Sequence, residues 1–464
     1  MQTILRVTAA LAISLFSMNL QCQPYQPDWA SLDKRPVPSW FTDVKFGIFI
    51  HWGVYSVPAW APANADIGVY AKYAEWYWNR IMIDDGKAYK YFREHHDRLY
   101  GKDFAYPDFV NQFKAEYFDP DQWADIFLRS GAKYVVLTSK HHEGFTLWPS
   151  AQSWNWNAVD VGPHRDLAGD LSKAVKAKGL HMGLYYSLYE WFNPLYKNDF
   201  DKYVDEHMIP QMKDLVTRYE PEVLWTDGEW EHTSKEWKSE QFLAWLFNES
   251  AVKDKVVVND RWGSDTRSNH GGIYTTEYNL VNDKESTGEI EHPVEECRGI
   301  GTSFGYNQVE DLGNYMSSKA LVDLLIQKVS NGSNLLLDIG PDAHGLIPVI
   351  MQERLLDMGA WLRVNGEAIY GTQSWKDRPR ELAGKGIYFT RKGRDLYILL
   401  TAWPSEAVSI GGISPHASCT YLGSQAKVPF SWKGSRLVVN VPGYIPPTIC
   451  ANPAWVIKVA NGLQ

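Results

Sequence analysis

The sequence predicts a (β/α)8-like TIM barrel followed by a small antiparallel β-sandwich, and three observations lead there. Short apolar runs alternate with amphipathic helical stretches from about residue 30 to 370. Six of these runs lead into polar or aromatic residues. Beyond residue 372 the helical pattern gives way to short, often alternating β-type segments. A chain of 464 residues has room for one large domain and a smaller one. The expected boundaries are 1–22 for a signal peptide, 23–372 for the barrel and 373–464 for the sandwich.

The apolar runs are Phe46–His51, Tyr134–Ser139, His181–Ser187, Val223–Thr226, Val256–Asn259, Ile273–Glu277 and Leu335–Ile339. Continuous apolar character marks strands buried on both faces, as parallel strands are. Between them, Asp119–Ser130 carries Trp123, Ile126 and Phe127 at helical spacing, with Asp121 as the expected N-cap. Asp166–Lys178, Phe200–Tyr219 and Ser318–Val329 repeat the pattern. Seven such units favour a barrel over a doubly wound sheet, and no Gly-rich phosphate loop follows any strand. The later strands are expected at Gly386–Thr390, Asp395–Ala402, Cys419–Leu422, Arg436–Val441 and Trp455–Val459.

Composition narrows the function. A formal net charge of −9 argues against nucleic acid as a partner and against docking on anionic membranes. Aromatic residues make up 14%, with 21 Trp, which fits either a Trp-rich core or flat platforms for sugar rings. Arg6 precedes an uncharged run from Val7 to Leu20. That run is too short to span a membrane and has the build of a secretory signal, so export is expected (periplasmic or secreted, lysosomal if the source is eukaryotic). Asn19-Leu20-Gln21 before Cys22 is a poor lipidation signal. In an oxidising compartment Cys419 and Cys450 could pair, leaving Cys297 free.

The strand ends carry the chemistry. They lead into His51-Trp52, Lys140-His141-His142-Glu143, Glu190-Trp191, Asp227, Asn259-Asp260-Arg261-Trp262 and Glu277. In a barrel such ends converge on the working face. The cup has too few cations for phosphoryl transfer and too few glycines for a nucleotide cofactor. Glycoside cleavage needs two carboxyl groups, and the cup has them. His141 and His142 are neighbours on an extended segment and would point to opposite sides, which suits hydroxyl recognition better than a metal. No cofactor and no metal are expected.

Lys45-Phe-Gly-Ile-Phe-Ile-His51-Trp-Gly, Glu75-Trp76-Tyr77, Lys140-His141-His142-Glu143-Gly-Phe, Leu224-Trp225-Thr-Asp227, Asn259-Asp260-Arg261-Trp262, Ser303-Phe304-Gly-Tyr-Asn and Asn334-Leu-Leu-Leu-Asp-Ile-Gly-Pro341 together resemble the α-L-fucosidases of glycoside hydrolase family 29. The resemblance runs from about Trp40 to Gly371. It implies a retaining exo-glycosidase acting on fucosylated oligosaccharides or glycoconjugates, with Asp227 as nucleophile. For the acid/base it implies Glu277 or Glu295. Glu277 is preferred because a strand end positions a group better than a loop, and Glu75 is the third candidate. His51, Glu75, His141 and His142 match contacts to sugar hydroxyls. Trp76, Tyr186, Trp225, Arg261 and Phe304 match residues lining the ring, with Phe304 facing the C5 methyl. The acidic segment Asn279–Glu291 is expected to form a mobile loop over the site. Two other readings stay open: an exo-glycosidase for a galactose-configured sugar, and a non-catalytic sugar-binding protein.

Overall fold

Apolar residues on both faces of each run let the strands be covered on both sides, and eight parallel strands result. They are β1 (Phe46–Ile50), β2 (Tyr134–Lys140), β3 (His181–Ser187), β4 (Val223–Asp227), β5 (Val257–Val258), β6 (Tyr274–Glu277), β7 (Val294–Gly299) and β8 (Asn334–Ile339). The sheet order is β5-β4-β3-β2-β1-β8-β7-β6. Its two edges meet where the Ile273 N–H donates to the Val258 carbonyl at 3.0 Å, so the sheet curls into a barrel with a seam between β5 and β6. This computed structural model describes residues 24–278, 292–382, 384–441 and 453–463. The expected signal peptide, Cys22, Cys450 and the 279–291 loop lie outside them.

Strand alternation sorts the side chains into two cores. Phe49, Tyr134, Val136, Tyr185, Val223, Trp225, Cys297 and Leu336 pack together inside the barrel. Their neighbours Ile48, Ile50, Val135, Leu137, Leu184, Tyr186, Leu224, Leu335 and Leu337 pack outward against the helices. Those helices include Pro120–Arg129, Leu167–Ala177, Ile209–Tyr219 and Ser318–Ser330.

Several elements differ from the sequence reading. The first of these helices is capped by Asp119, not Asp121: Pro120 has no N–H and takes the first helical position, and the Asp119 carboxylate accepts from the Asp121 and Gln122 amides at 3.0 Å each. Ser239–Asn248 and Val349–Asn365 are further helices. The largest difference is β7, read from the sequence as loop. Its Glu295-Glu296-Cys297-Arg298 stretch hides a strand behind charge. The carboxylates are nonetheless buried, because Glu296 is met by the Thr276 hydroxyl and by Lys328 Nζ at 3.3 Å, while Glu295 turns into the barrel.

The C-terminal part forms a five-stranded antiparallel-type sheet and a three-stranded one. The five-stranded sheet comprises β9 (Gln373–Ser374), β10 (Ile387–Lys392), β11 (Asp395–Leu400), β13 (Ser418–Tyr421) and β16 (Trp455–Ala460), and the other comprises β12 (Val408–Ile410), β14 (Phe430–Lys433) and β15 (Arg436–Val439). Along β11, Leu396, Ile398 and Leu400 face the core of this unit. Tyr397 and Leu399 join the core shared with the barrel's helices. Alternation on one strand thus welds the two parts. Cys419 is buried on β13.

Gly47 on β1 is required by packing. A Cβ there would lie 2.4 Å from the Tyr134 ring, and that ring is fully buried with its hydroxyl committed to Glu295. Gly47→Ala is therefore expected to destabilise the protein by about 1–3 kcal/mol, read as a lower denaturation midpoint with an unchanged m-value. An unchanged midpoint would show that Tyr134 is free to move.

Candidate active site

The C-terminal ends of the barrel strands surround a cavity of about 300 Å³, at the small end of the ~300–1,000 Å³ typical of ligand sites. It suits one monosaccharide ring. Its lining includes His51, Glu75, Trp76, His141, His142, Trp225, Asp227, Arg261, Glu277 and Phe304, so ten of the twelve residues singled out from the sequence come together here.

Arg261 organises the acidic pair. Its Nη1 donates to Asp227 Oδ1 at 2.7 Å, its Nη2 to Glu277 Oε2 at 3.3 Å and its Nε to Thr275 Oγ1 at 3.0 Å. Its guanidinium also lies 4.3 Å from the centre of the Trp225 ring. Asp227 accepts a further bond from the Tyr185 hydroxyl at 3.0 Å. Burial alone would raise the Asp227 pKa, but Arg261 and then His142 outweigh it and hold this carboxyl well below the usual range. It is an anion at neutral pH. Glu277 accepts from the Tyr73 hydroxyl at 3.1 Å.

Across the cavity stand polar groups fixed from behind. His51 Nδ1 lies 2.6 Å from Asp338 Oδ1, and His142 Nδ1 lies 2.6 Å from Ser187 Oγ. Burial pushes both imidazoles well below their ordinary pKa, so they are neutral and offer one donor or one acceptor each. The His141–His142 segment follows Lys140, whose buried Nζ pairs with Glu190 at 2.6 Å. The Trp191 N–H also donates to the His142 carbonyl at 3.0 Å. Glu75 sits in a short 3-10 turn, Ala74–Trp76, and accepts from the Gly305 N–H at 2.8 Å and the Ser303 hydroxyl at 3.2 Å. Burial pushes its pKa up to about 7. Phe304 is 5% exposed and packs on His51 at 4.8 Å and on Tyr73 at 5.3 Å, giving the cavity an apolar wall.

Two sequence assignments are corrected. Tyr186 does not reach the cavity: strand parity turns it outward, where its hydroxyl donates to Gln211 at 2.8 Å and Lys140 lies 4.1 Å from its ring. Tyr185, one residue earlier, points in. Glu295 is also excluded from the cavity. It pairs in register with Thr275, whereas Glu277 pairs with Cys297, so Glu295 lies one barrel layer deeper. There it is fully buried, accepting from the Tyr134 hydroxyl at 2.5 Å and the Trp225 indole N–H at 2.9 Å. The sequence reading missed Tyr73 and Tyr185. Counting parity back from Asp227, which pairs with Ser187, would have found Tyr185. No local pattern links Tyr73 to Glu277. Among the described residues no cluster of His, Cys, Asp and Glu is placed to hold a metal ion.

The chain is similar to known proteins over most of its length. The family model described as Alpha-L-fucosidase matches residues 13–367. An alpha-L-fucosidase of Dictyostelium discoideum is 48% identical over 455 residues, covering 93% of this chain and 95% of that protein. The tissue alpha-L-fucosidase of Bos taurus is 43% identical, covering 94% and 91%. The solved structure of Thermotoga maritima alpha-fucosidase in complex with fucose superposes with a TM-score of 0.78 at 35% identity, covering 94% of this chain and 100% of that one.

Burial pushes the Glu295 pKa up to about 7 against its two hydrogen bonds. A carboxyl protonated more readily folded than unfolded stabilises below the ordinary glutamate range, and that stabilisation is lost as pH rises through about 7. Glu295→Gln removes this titration. The variant's stability relative to the parent should climb by about 3 kcal/mol from about pH 4.5 to neutrality, measured by denaturant unfolding across pH. A flat or falling difference would mean that Glu295 is held ionised.

Proposed function

The chain belongs to the α-L-fucosidase family of glycoside hydrolases, and from that premise we propose that it removes terminal α-L-fucosyl residues by double displacement, with Asp227 as nucleophile and Glu277 as acid/base. The observation that carries the reading is the shared Arg261. One guanidinium binds both carboxyls from the same side of one cavity, which supports the short separation of about 5–5.5 Å used by retaining enzymes over the wider inverting spacing.

The two steps follow. The Asp227 carboxylate attacks the anomeric carbon as Glu277 gives its proton to the departing oxygen, leaving a fucosyl ester on Asp227. Water then attacks that carbon, Glu277 takes its proton, and the Asp227 carboxylate is released. Arg261 and Tyr185 keep Asp227 ionised and aimed, and Tyr73 orients Glu277. His51, His141, His142 and Glu75 are read as partners for the ring hydroxyls. Phe304 is read as the contact for the C5 methyl, favouring fucose over a galactose-configured sugar with its C6 hydroxyl. Export belongs to the same reading, on the uncharged Val7–Leu20 run.

The acid/base assignment is tested by its leaving-group dependence. A nitrophenolate departs nearly unaided, whereas a sugar alkoxide needs the proton. Glu277→Ala should lose roughly 10²–10⁴-fold on natural fucosides and much less on the aryl fucoside. Azide should then accelerate the aryl reaction and give the α-azide. Asp227→Gly should damage both substrates and, with azide, give the β-azide. Rescue of Glu295→Ala with retained configuration would move the role to Glu295. Turnover should also survive prolonged EDTA treatment, because His51 and His142 each have a ring nitrogen engaged by Asp338 or Ser187. Loss that zinc or calcium restores would contradict the hydroxyl-binding role.

A further inference from the structure

A buried chain of hydrogen bonds behind the cavity fixes the direction of one proton. The carbonyl oxygen of Tyr189 lies 2.6 Å from Ser187 Oγ. A carbonyl only accepts, so the Ser187 hydroxyl donates to it and spends its one proton there. His142 Nδ1 also lies 2.6 Å from the same Oγ. An oxygen whose proton is committed can only accept from this nitrogen, so Nδ1 carries a proton. The opposite tautomer would set two acceptors, the Tyr189 oxygen and a bare Nδ1, against one hydroxyl proton. The chain is held in place by packing. Ser187 is fully buried at the end of β3 and pairs in register with Asp227. Beside it Gly228 leaves no room for a side chain: a Cβ there would lie 3.1 Å from Ser187 Oγ and 2.6 Å from Tyr189 Cβ.

The imidazole itself is neutral. It is 1% exposed, with the rings of Trp76, Trp191 and Trp230 centred 5.3, 5.4 and 5.4 Å away. Burial, helped by the neighbouring His141, outweighs the pull of Asp227 toward the charged form. A neutral ring with its proton on Nδ1 presents a bare lone pair at Nε2. That nitrogen lies 3.7 Å from Asp227 Oδ2, on the cavity wall that both residues line. Two acceptors therefore stand side by side, and what seats against them must bring a proton.

We propose that Ser187 is a positioning residue that fixes His142 as a hydrogen-bond acceptor, so that the corner beside the nucleophile selects a sugar whose C2 group donates. This rests on the function proposed above, in which Asp227 bonds to the anomeric carbon. That carbon has two ring neighbours: the ring oxygen, which carries no proton, and C2, which carries a hydroxyl. As positive charge builds at the anomeric carbon, a C2 oxygen sharing its proton with Nε2 withdraws less electron density from it. The contact therefore strengthens in the transition state. Ser187 itself touches no substrate and acts through His142.

Two measurements on the full chain test this. The first is NMR of protein carrying nitrogen-15-labelled histidine, with the His142 signals identified by their loss in His142→Gln. The ring should show a protonated Nδ1 and a bare Nε2 at neutral pH, and a protonated Nε2 would overturn the inference. The second uses fucose and two analogues as competitive inhibitors. In the parent, 2-deoxyfucose should bind about tenfold more weakly than fucose. 2-Deoxy-2-fluorofucose should bind more weakly still, because its fluorine turns lone pairs toward two acceptors. Tighter binding of the fluoro sugar than of the deoxy sugar would mean a donor at Nε2 and would equally overturn the inference. Ser187→Ala frees the proton to move to Nε2, facing Asp227, so the two analogues should come within about twofold of each other or change order. An unchanged order, or an equal loss for all three sugars, would make Ser187 a structural residue only. If that variant does not fold, the labelled parent and its inhibitor order still decide. Failure of all three sugars to bind the parent would count instead against the proposed function, on which the NMR result does not depend.

Discussion

The site depends on a buried guanidinium. Arg261 is 2% exposed, and a cation so placed is tolerable only when every donor is met and the charge is balanced. Asp227 supplies the balance, Glu277 accepts from Nη2, Thr275 takes Nε, and the Trp225 face supplies a cation–π contact. Removing Asp227 would leave the Arg261 charge stranded in the barrel. The same network closes the barrel where backbone pairing is weakest. β5 is only two residues long, and Asp260 beyond it accepts from the Thr275 N–H at 3.2 Å and from the Thr275 hydroxyl at 2.8 Å. The seam and the Asp227–Glu277 pair are therefore one construction: Thr275 ties Asp260 to β6 and seats Arg261 between the two carboxyl groups.

Barrel layers then give similar carboxyl groups different protonation states. Asp227 meets a permanent cation and stays ionised. Glu295, one layer below, meets only neutral donors, and burial keeps its proton up to about neutrality. Glu75, at the side of the cavity, is pushed the same way by burial and can hold a proton for a hydroxyl oxygen. The separation follows from strand parity and depth, since Glu277 and Glu295 stand on neighbouring strands two positions apart in register.

Much of this was legible in the sequence because the barrel strands are continuous apolar runs and because motif residues fall at their ends. Asp227, Arg261, Glu277 and the three histidines could be named without coordinates. What failed has a common cause. Glu295-Glu296 broke the apolar pattern of β7, since the groups that make those carboxylates tolerable, Tyr134, Trp225, Thr276 and Lys328, are distant in sequence. Tyr185 and Tyr186 are chemically identical, and only the face of β3 distinguishes them. Tyr73 is 204 residues from the carboxylate it orients, so nothing local could reveal it.

The central claim, that Asp227 carries the sugar between the two steps, is tested most directly by trapping. A 2-deoxy-2-fluoro fucosyl fluoride reacts but turns over slowly, because the fluorine disfavours the positive charge that builds at the anomeric carbon. Intact-protein mass spectrometry should show one added fluorofucosyl unit, and peptide mapping should place it on Asp227. An adduct on Glu75, Glu277 or Glu295, or steady turnover with no covalent species at any time, would contradict the account.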